Sequence, residues 1–190
     1  MAIRDPAATR QRIVDAARLV FAEHGLAGAR VDMIAAAAHT SKERLYANFR
    51  TKEELFQLVL GKSVEQWLNA VPFTVEALAD YGAALFDYFS EHEIDARLIL
   101  WGQLASRSSS GLFQEAQELL ASRGAEVVEA QQRGVVDASW DPFDLFGMIY
   151  GVAMSWIINP NEPTAAFVAL DEQRRRSDIV RVTVAKLVRP

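Results

Sequence analysis

Apolar residues recur along this chain at the three- and four-residue spacing of helices, and nothing alternates convincingly as a half-buried strand would. Ile13, Ala17, Val20 and Phe21 form the first stripe, which follows Asp5-Pro6 and stops at Gly25. Asp suits an N-cap, Pro the first helical position, and Gly the residue just past a C-terminus. Two short helices are predicted next, from about Val31 to Ala38 and from about Ser41 to Asn48. Thr40-x-x-Glu43 has the form of a capping box for the second. Thr51-x-x-Glu54 repeats the form ahead of a longer helix carrying Leu55, Phe56, Val59 and Trp67.

Pro72 marks the end of that helix. Beyond it the helical period returns from Val75 to Ser90, with Leu78, Leu85 and Phe89 on one face, and again from Ile94 to Ser106. Arg107-Ser-Ser-Ser-Gly111 reads as a loop. A helix from Leu112 to Arg133 closes at Gly134. Asp141-Pro142 opens another that reaches Ile158, where Asn-Pro-Asn-Glu-Pro stops it, and a last helix spans about Thr164 to Val188. The fold class is all-α, divided into residues 1–50, a connecting helix at 51–71, and a helical region at 72–190.

Composition narrows the function more by exclusion than by signal. The 190 residues are 51% apolar and 24% charged, the balance of a folded globular chain. With no cysteine there is no disulfide, thiol nucleophile or thiolate metal site. His24, His39 and His92 are scattered without ligand spacing, and no phosphate-cradling glycine loop or dinucleotide fingerprint occurs. Ser108-Ser109-Ser110 has no identifiable base, and Glu115, Glu118, Glu126 and Glu129 fit a solvated acidic face. Neither catalysis, a cofactor nor a metal is expected. The uncharged run from Leu145 to Asn161 has only 14 largely apolar residues before Asn159, whereas a membrane span needs roughly 20. The N-terminus lacks the apolar core of a secretory signal, so a cytoplasmic protein without membrane contact is expected.

Net charge is −5, which taken whole argues against nucleic acid. Its distribution argues otherwise. Residues 1–62 carry ten Lys/Arg against seven Asp/Glu, a net of +3, while the remainder carries ten against eighteen, a net of −8. One part of such a chain suits a polyanion and the other does not.

The basic part contains the layout of a helix-turn-helix reader: short helix, tight turn, short helix, longer helix. Ile34, Ala35 and Ala38 let the first short helix lie close to its neighbours. Thr40, Ser41 and Lys42 fall at the start of the second, where side chains meet base edges, with Arg44 beside them. Leu45 and Phe49, four apart, face inward. Tyr46 projects sideways, where a phenol can donate to a phosphate. Lys52 stands at the start of the next helix, whose free N–H groups favour an anion. The alanine run alone equally fits a generic helical hairpin, since alanine is the best helix former; the combination and its spacing favour the reader.

Residues 9–56, "TRQRIVDAARLVFAEHGLAGARVDMIAAAAHTSKERLYANFRTKEELF", resemble the DNA-binding domain of the tetracycline-repressor (TetR) family. The "AARLVFAEHG" helix, the "IAAAA" helix, "SKERLYANF" and "KEEL" all agree in order and distance. The resemblance implies a homodimeric repressor on double-stranded DNA, reading a palindromic operator and released by a small effector. It carries base or phosphate roles to Ser41, Lys42, Tyr46 and Lys52. Two positions depart from the pattern. Ala38-His39-Thr40 stands where the family usually has Ala-Gly-Val, so His39 must serve as the turn residue. Arg30 replaces a common Ser or Thr, losing an N-cap and supplying a cation for phosphate.

The second region resembles the family's effector and dimerisation domain only in layout. Phe86, Phe89, Trp101, Leu104 and Phe113 are candidates for the wall of a mostly apolar pocket, with Gln103 or Tyr150 as polar contacts, although each would serve equally as packed core. The expected effector is a small hydrophobic compound. Leu145, Ile149, Val152 and Trp156, with Ile179 and Val182 of the last helix, are candidates for an intermolecular four-helix bundle. The rival reading is a helical small-molecule binding or interaction module without a DNA target. The charge asymmetry and an exposed Tyr46 and Lys52 argue against it.

Overall fold

The computed structural model of the chain describes residues 6–105, 114–158 and 172–189, without the side chains of 114–120. Its helices are α1 (Pro6–Gly28), α2 (Val31–Ala37), α3 (Lys42–Asn48), α4 (Lys52–Ala70), α5 (Leu78–Glu91), α6 (Glu93–Ala105), α7 (Gln114–Gln132), α8 (Pro142–Ile158) and α9 (Glu172–Leu187), with a 3-10 turn at Val75–Ala77. Among the described residues there is no strand, and the all-α class is as the periodicity implies. The helices pack as two units, residues 1–66 with 93–113 and residues 67–92 with 114–190. This grouping differs from the sequence-based boundaries, because α6 packs against α1 and therefore counts with the N-terminal helices.

In the first unit the predicted stripe is the core. Ile13, Ala17, Phe21, Ile34, Leu45, Phe49, Leu55 and Phe56 are all at most 1% exposed. Phe21 and Phe56 meet edge-to-face with centroids 5.1 Å apart, the arrangement that ring quadrupoles favour. The first stripe does stop at Gly25: the backbone there has φ 64° and ψ −179°, and one more turn follows to Gly28. A break of this kind deprives the preceding carbonyls of their i+4 donors. Two side chains of α6 serve one of them, Arg97 Nε at 2.9 Å and Trp101 Nε1 at 3.2 Å from the Ala22 carbonyl. Arg18 of α1 meets Asp95 of α6 at 2.8 Å, and the Asp95 carboxylate is fully buried. Charged and dipolar bonds therefore fix α6 to α1 at three points.

The second unit is organised on α5, which packs against both α8 and α9. Leu78, Leu85, Phe86 and Phe89 of α5, Leu145, Ile149, Ala153 and Met154 of α8, and Val180 and Val184 of α9 are at most 2% exposed. Arg123 of α7 is buried at 5% exposure. Among the described residues no carboxylate pairs with it. Its guanidinium lies 4.8 Å from the Phe73 ring centroid and 5.5 Å from that of Tyr81. It donates to the Tyr81 hydroxyl at 3.1 Å and to the Leu68 carbonyl at 3.5 Å. Leu68 belongs to the last turn of α4, where the helix dipole is negative, so ring faces and a helix end together stand in for a counter-ion. Burial raises the Tyr81 phenol above its ordinary pKa, and Arg123 opposes that shift.

The turns follow local chemistry. Thr51 Oγ1 accepts from Glu54 N at 3.0 Å, capping α4 as its motif implies. Asp141 Oδ1 accepts from Phe143 N at 2.8 Å and caps α8. The predicted helix at 75–90 begins instead with the 3-10 turn, and α9 is described only from Glu172, so its expected start at Thr164 lies outside the described residues.

Gly25 tests the first unit directly. A Cβ there would stand 2.7 Å from two carbons of the Trp101 ring, on a backbone conformation that side chains rarely adopt. Gly25→Ala should destabilise the protein by about 2–4 kcal/mol, from backbone strain and overpacking together. Urea unfolding followed by circular dichroism gives the value, and a loss below about 1 kcal/mol would show that α1 and α6 part easily at this point.

Candidate nucleic-acid interface

The turn between α2 and α3 is built around His39. Its φ is 50°, a value shared by no other non-glycine among the described residues. Thr40 N donates to Ala35 O at 2.9 Å and His39 N to Ala36 O at 3.1 Å, the paired bonds that end a helix on a left-handed residue. Histidine takes the place that the family pattern gives to glycine, a tolerated substitution because it reaches positive φ more readily than most side chains. With Thr40 held in this turn and half-buried, the N-cap of α3 moves one residue on from the expected capping box. Ser41 has extended backbone and its Oγ accepts from Arg44 N at 3.3 Å.

Inward and outward faces of α3 then follow from the 3.6 period. Leu45 and Phe49 are 0% and 1% exposed, whereas Lys42, Glu43, Arg44 and Ala47 face solvent and Tyr46 is 44% exposed. Ser41 is exposed beside them. Arg30 is exposed at the N-cap of α2 and makes no side-chain capping bond, as its replacement of Ser or Thr implies. The arrangement presents a short cationic helix, anchored from beneath, with a phenol at its side. Such a surface can donate to base edges and phosphates at once.

Lys52 has an additional duty. Its Nζ donates to the Ala29 carbonyl at 2.9 Å, tying the start of α4 to the segment between α1 and α2. Three charged residues carry no motif and escaped the sequence reading. Arg10 of α1 lies with its guanidinium 4.8 Å from the Phe49 ring centroid. Arg50 is exposed just past α3, its backbone N–H bonded to Glu54 at 2.9 Å. Asp32 of α2 meets the Lys42 ammonium at 3.2 Å. Only their cationic or anionic type was legible; the partners of Arg10 and Asp32 come from packing between helices.

The other candidates are distributed less simply. Trp101 is committed to Gly25 and Ala22 in the first unit, where Gln103 is exposed and Leu104 is 68% exposed, whereas Phe86 and Phe89 belong to the second. Phe113 lies outside the described residues. Phe86 and Phe89 are packed core, against Trp156 at 5.8 Å and Tyr150 at 6.0 Å between centroids. Of the dimer candidates, Leu145 and Ile149 do not face outward. Both are 0% exposed, because the unit needs that side of α8 for its own core. Val152 and Trp156 are half-buried, while Ile179 and Val182 are 38% and 54% exposed. Phe143 (64%), Met148 (44%) and Ile158 (51%) form the exposed apolar side of α8, which the sequence reading missed.

Comparison with known proteins decides what this geometry belongs to. Residues 13–59 match the family described as bacterial regulatory proteins, tetR family, and residues 77–189 match the tetracyclin repressor-like C-terminal domain. The chain is 36% identical over 159 residues to the HTH-type transcriptional repressor SCO4008 of Streptomyces coelicolor, covering 83% of this chain and 82% of that one. The chain belongs to the TetR family. It is thus a helix-turn-helix, DNA-binding transcription regulator of the repressor type. The crystal structure of SCO4942 from Streptomyces coelicolor, named as a transcriptional regulator, superposes with a TM-score of 0.79 at 37% identity, covering 96% of this chain and 99% of that one. The TetR-family member SCO1917 of Streptomyces coelicolor A3 shares the fold at a TM-score of 0.69 and 20% identity, with 96% and 99% covered. Among the described residues no helix is long and apolar enough to cross a membrane.

The TetR turn offers a stability test. Holding histidine in the left-handed region costs about 1–2 kcal/mol, part of which glycine returns through its greater freedom when unfolded. His39→Gly should therefore stabilise the protein by about 0.5–1 kcal/mol, read as a rise in melting temperature. A fall would mean that the His39 ring supplies a contact of its own.

Proposed function

We propose that this TetR-family protein is a cytoplasmic homodimeric repressor that reads a palindromic operator with α3 and leaves it when a small hydrophobic effector binds the second unit. The observation that carries the reading is the outward face of α3, with Lys42, Arg44 and 44%-exposed Tyr46 held over fully buried Leu45. Lys42 is the candidate for a guanine edge, with Ser41, Thr40 and Arg44 beside it. Tyr46 and Arg30 anchor phosphates. Lys52 steadies the segment next to α2 and can still offer a charge to the backbone.

Dimerisation rests on the exposed apolar sides of α8 and α9. Phe143, Met148 and Ile158 line one, Ile179 and Val182 the other, and an open groove of about 590 Å³ runs along Ile179, Val182 and Lys186. Gly147 and Gly151, four apart, leave the α8 backbone bare, with open space where a Cβ would stand, so a second helix can approach closely. Two recognition helices must enter successive major grooves about 34 Å apart, which a two-fold dimer supplies. For the effector, Phe86, Phe89, Tyr150 and Trp156 are the candidates within the second unit, and their packed rings must part to admit a small apolar compound, with the phenol to orient it. Release requires the compound to prefer the conformation that does not fit the operator, because equal affinity for both shifts nothing.

Selection from random double-stranded DNA tests the reading as a whole, and a two-fold symmetric motif is the expected outcome; an asymmetric motif or none would reject it. Tyr46→Phe should weaken every duplex alike, and an altered base preference would place Tyr46 at a base. For assembly, Gly151→Asp and Val182→Asp should give folded monomers with little operator affinity, whereas Ile149→Asp should unfold the second unit by burying a charge. Sedimentation velocity separates these outcomes, and a stable Val182→Asp dimer would move the interface elsewhere.

A further inference from the structure

A carboxylate stands where a polyanion is to dock. Asp32, in the first turn of α2, meets the Nζ of Lys42, the first residue of α3, at 3.2 Å, and the two side chains are 70% and 50% exposed. The exposed charges closest in sequence are mostly cationic, Arg30, Arg44 and Arg50. Glu43, the other acid of this segment, is held differently. Its own backbone N–H and the Ser41 hydroxyl bond its carboxylate and lower its pKa, with Lys42 contributing least.

Stability gives little reason for the Asp32–Lys42 pair, because exposed ion pairs add little to it. The dipole of α2 favours an acid in the first turn, but it does not require a partner on α3. A carboxylate 3.2 Å from an ammonium that is to meet DNA repels phosphates brought to that ammonium, since the screening length is about 10 Å at 0.1 M salt. Its effect on Lys42 is twofold. The ammonium, on a flexible four-carbon stem, is drawn to one position, and its charge is partly withheld from phosphates.

Specificity is a difference of affinities, so a contact that weakens all duplexes but weakens the wrong ones more raises it. We propose that Asp32 is a specificity-determining residue that acts through Lys42, suppressing its general attraction to phosphates and leaving it to the base edge it can reach. A lysine released from Asp32 becomes one more phosphate anchor. The inference rests on α3 being the reading helix and deepens that reading.

The experiment is a double-mutant cycle on the full-length dimer. Wild type, Asp32→Asn, Lys42→Ala and the double variant are titrated with the selected operator and with a random-sequence duplex across a salt series. Asp32→Asn should raise affinity for the random duplex several-fold and for the operator less. The ratio of the two should fall, and the salt slope on random DNA should steepen by about one unit per half-site. In the Lys42→Ala background the same change should leave the ratio unmoved. An equal fall in ratio with and without Lys42 would overturn the inference, since Asp32 would then act by its own charge or by accepting from cytosine. An unchanged ratio in Asp32→Asn alone would also overturn it. The groove reading fails separately, if Lys42→Ala leaves both the operator preference and the salt slope intact. Both side chains are exposed, so unchanged thermal melts are expected and a lowered one would count as a structural role for the pair.

Discussion

At Gly25 the backbone of α1 takes φ 64°, and the Trp101 ring fills the space that any side chain there would need. The N-terminal unit depends on this contact in two ways. The break ends the long run of α1 one turn before α2, and Ile34, Leu45, Phe21 and Phe56 are all fully buried in this unit. It also exposes the Ala22 carbonyl, which Arg97 and Trp101 both satisfy. A carbonyl without a donor would be costly inside a protein, and two donors on it tie α6 into the unit that carries α3. The buried Asp95 carboxylate on Arg18 adds a charge-assisted bond on the same pair of helices.

The outward face of α3 inherits its order from that core. Leu45 and Phe49 are rigid because they are fully packed, and the side chains between them therefore have fixed origins on the surface. Further ties bring in distant parts of the chain: Lys52 on Ala29, Arg10 on Phe49, and Asp32 on Lys42. A seven-residue helix is far too short to persist alone in water, so its geometry is a property of these attachments rather than of its own sequence. The TetR-family second unit is built by the same economy of faces. One side of α8 goes to the core through Leu145 and Ile149, and the other, with Phe143, Met148 and two bare glycines, faces solvent.

Much of the fold was legible because helical periodicity, caps and breakers are local. The stop at Gly25, the caps at Thr51 and Asp141, and the inward pair Leu45 and Phe49 all stand where spacing put them. The shift from Thr40 to Ser41 as the cap of α3 was not legible, since two oxygen-bearing residues stand side by side and the His39 turn chooses between them. Leu145 and Ile149 were misplaced for a related reason. An α8 that is apolar over a wide arc has two hydrophobic sides, and periodicity does not say which one its own chain will cover.

By itself the sequence determined an all-α TetR-family chain, a basic reader followed by an acidic helical region, and the outward residues of α3, because each of these is carried by local pattern or composition. Tertiary structure alone decided that Trp101 bonds the Ala22 carbonyl of α1, that Arg123 reaches the Leu68 carbonyl at the end of α4, and that Asp32 holds Lys42. Each brings a side chain to a partner on another helix, up to 79 residues away in the chain. They depend on which helices lie side by side, and that is set by how every apolar face is covered at once.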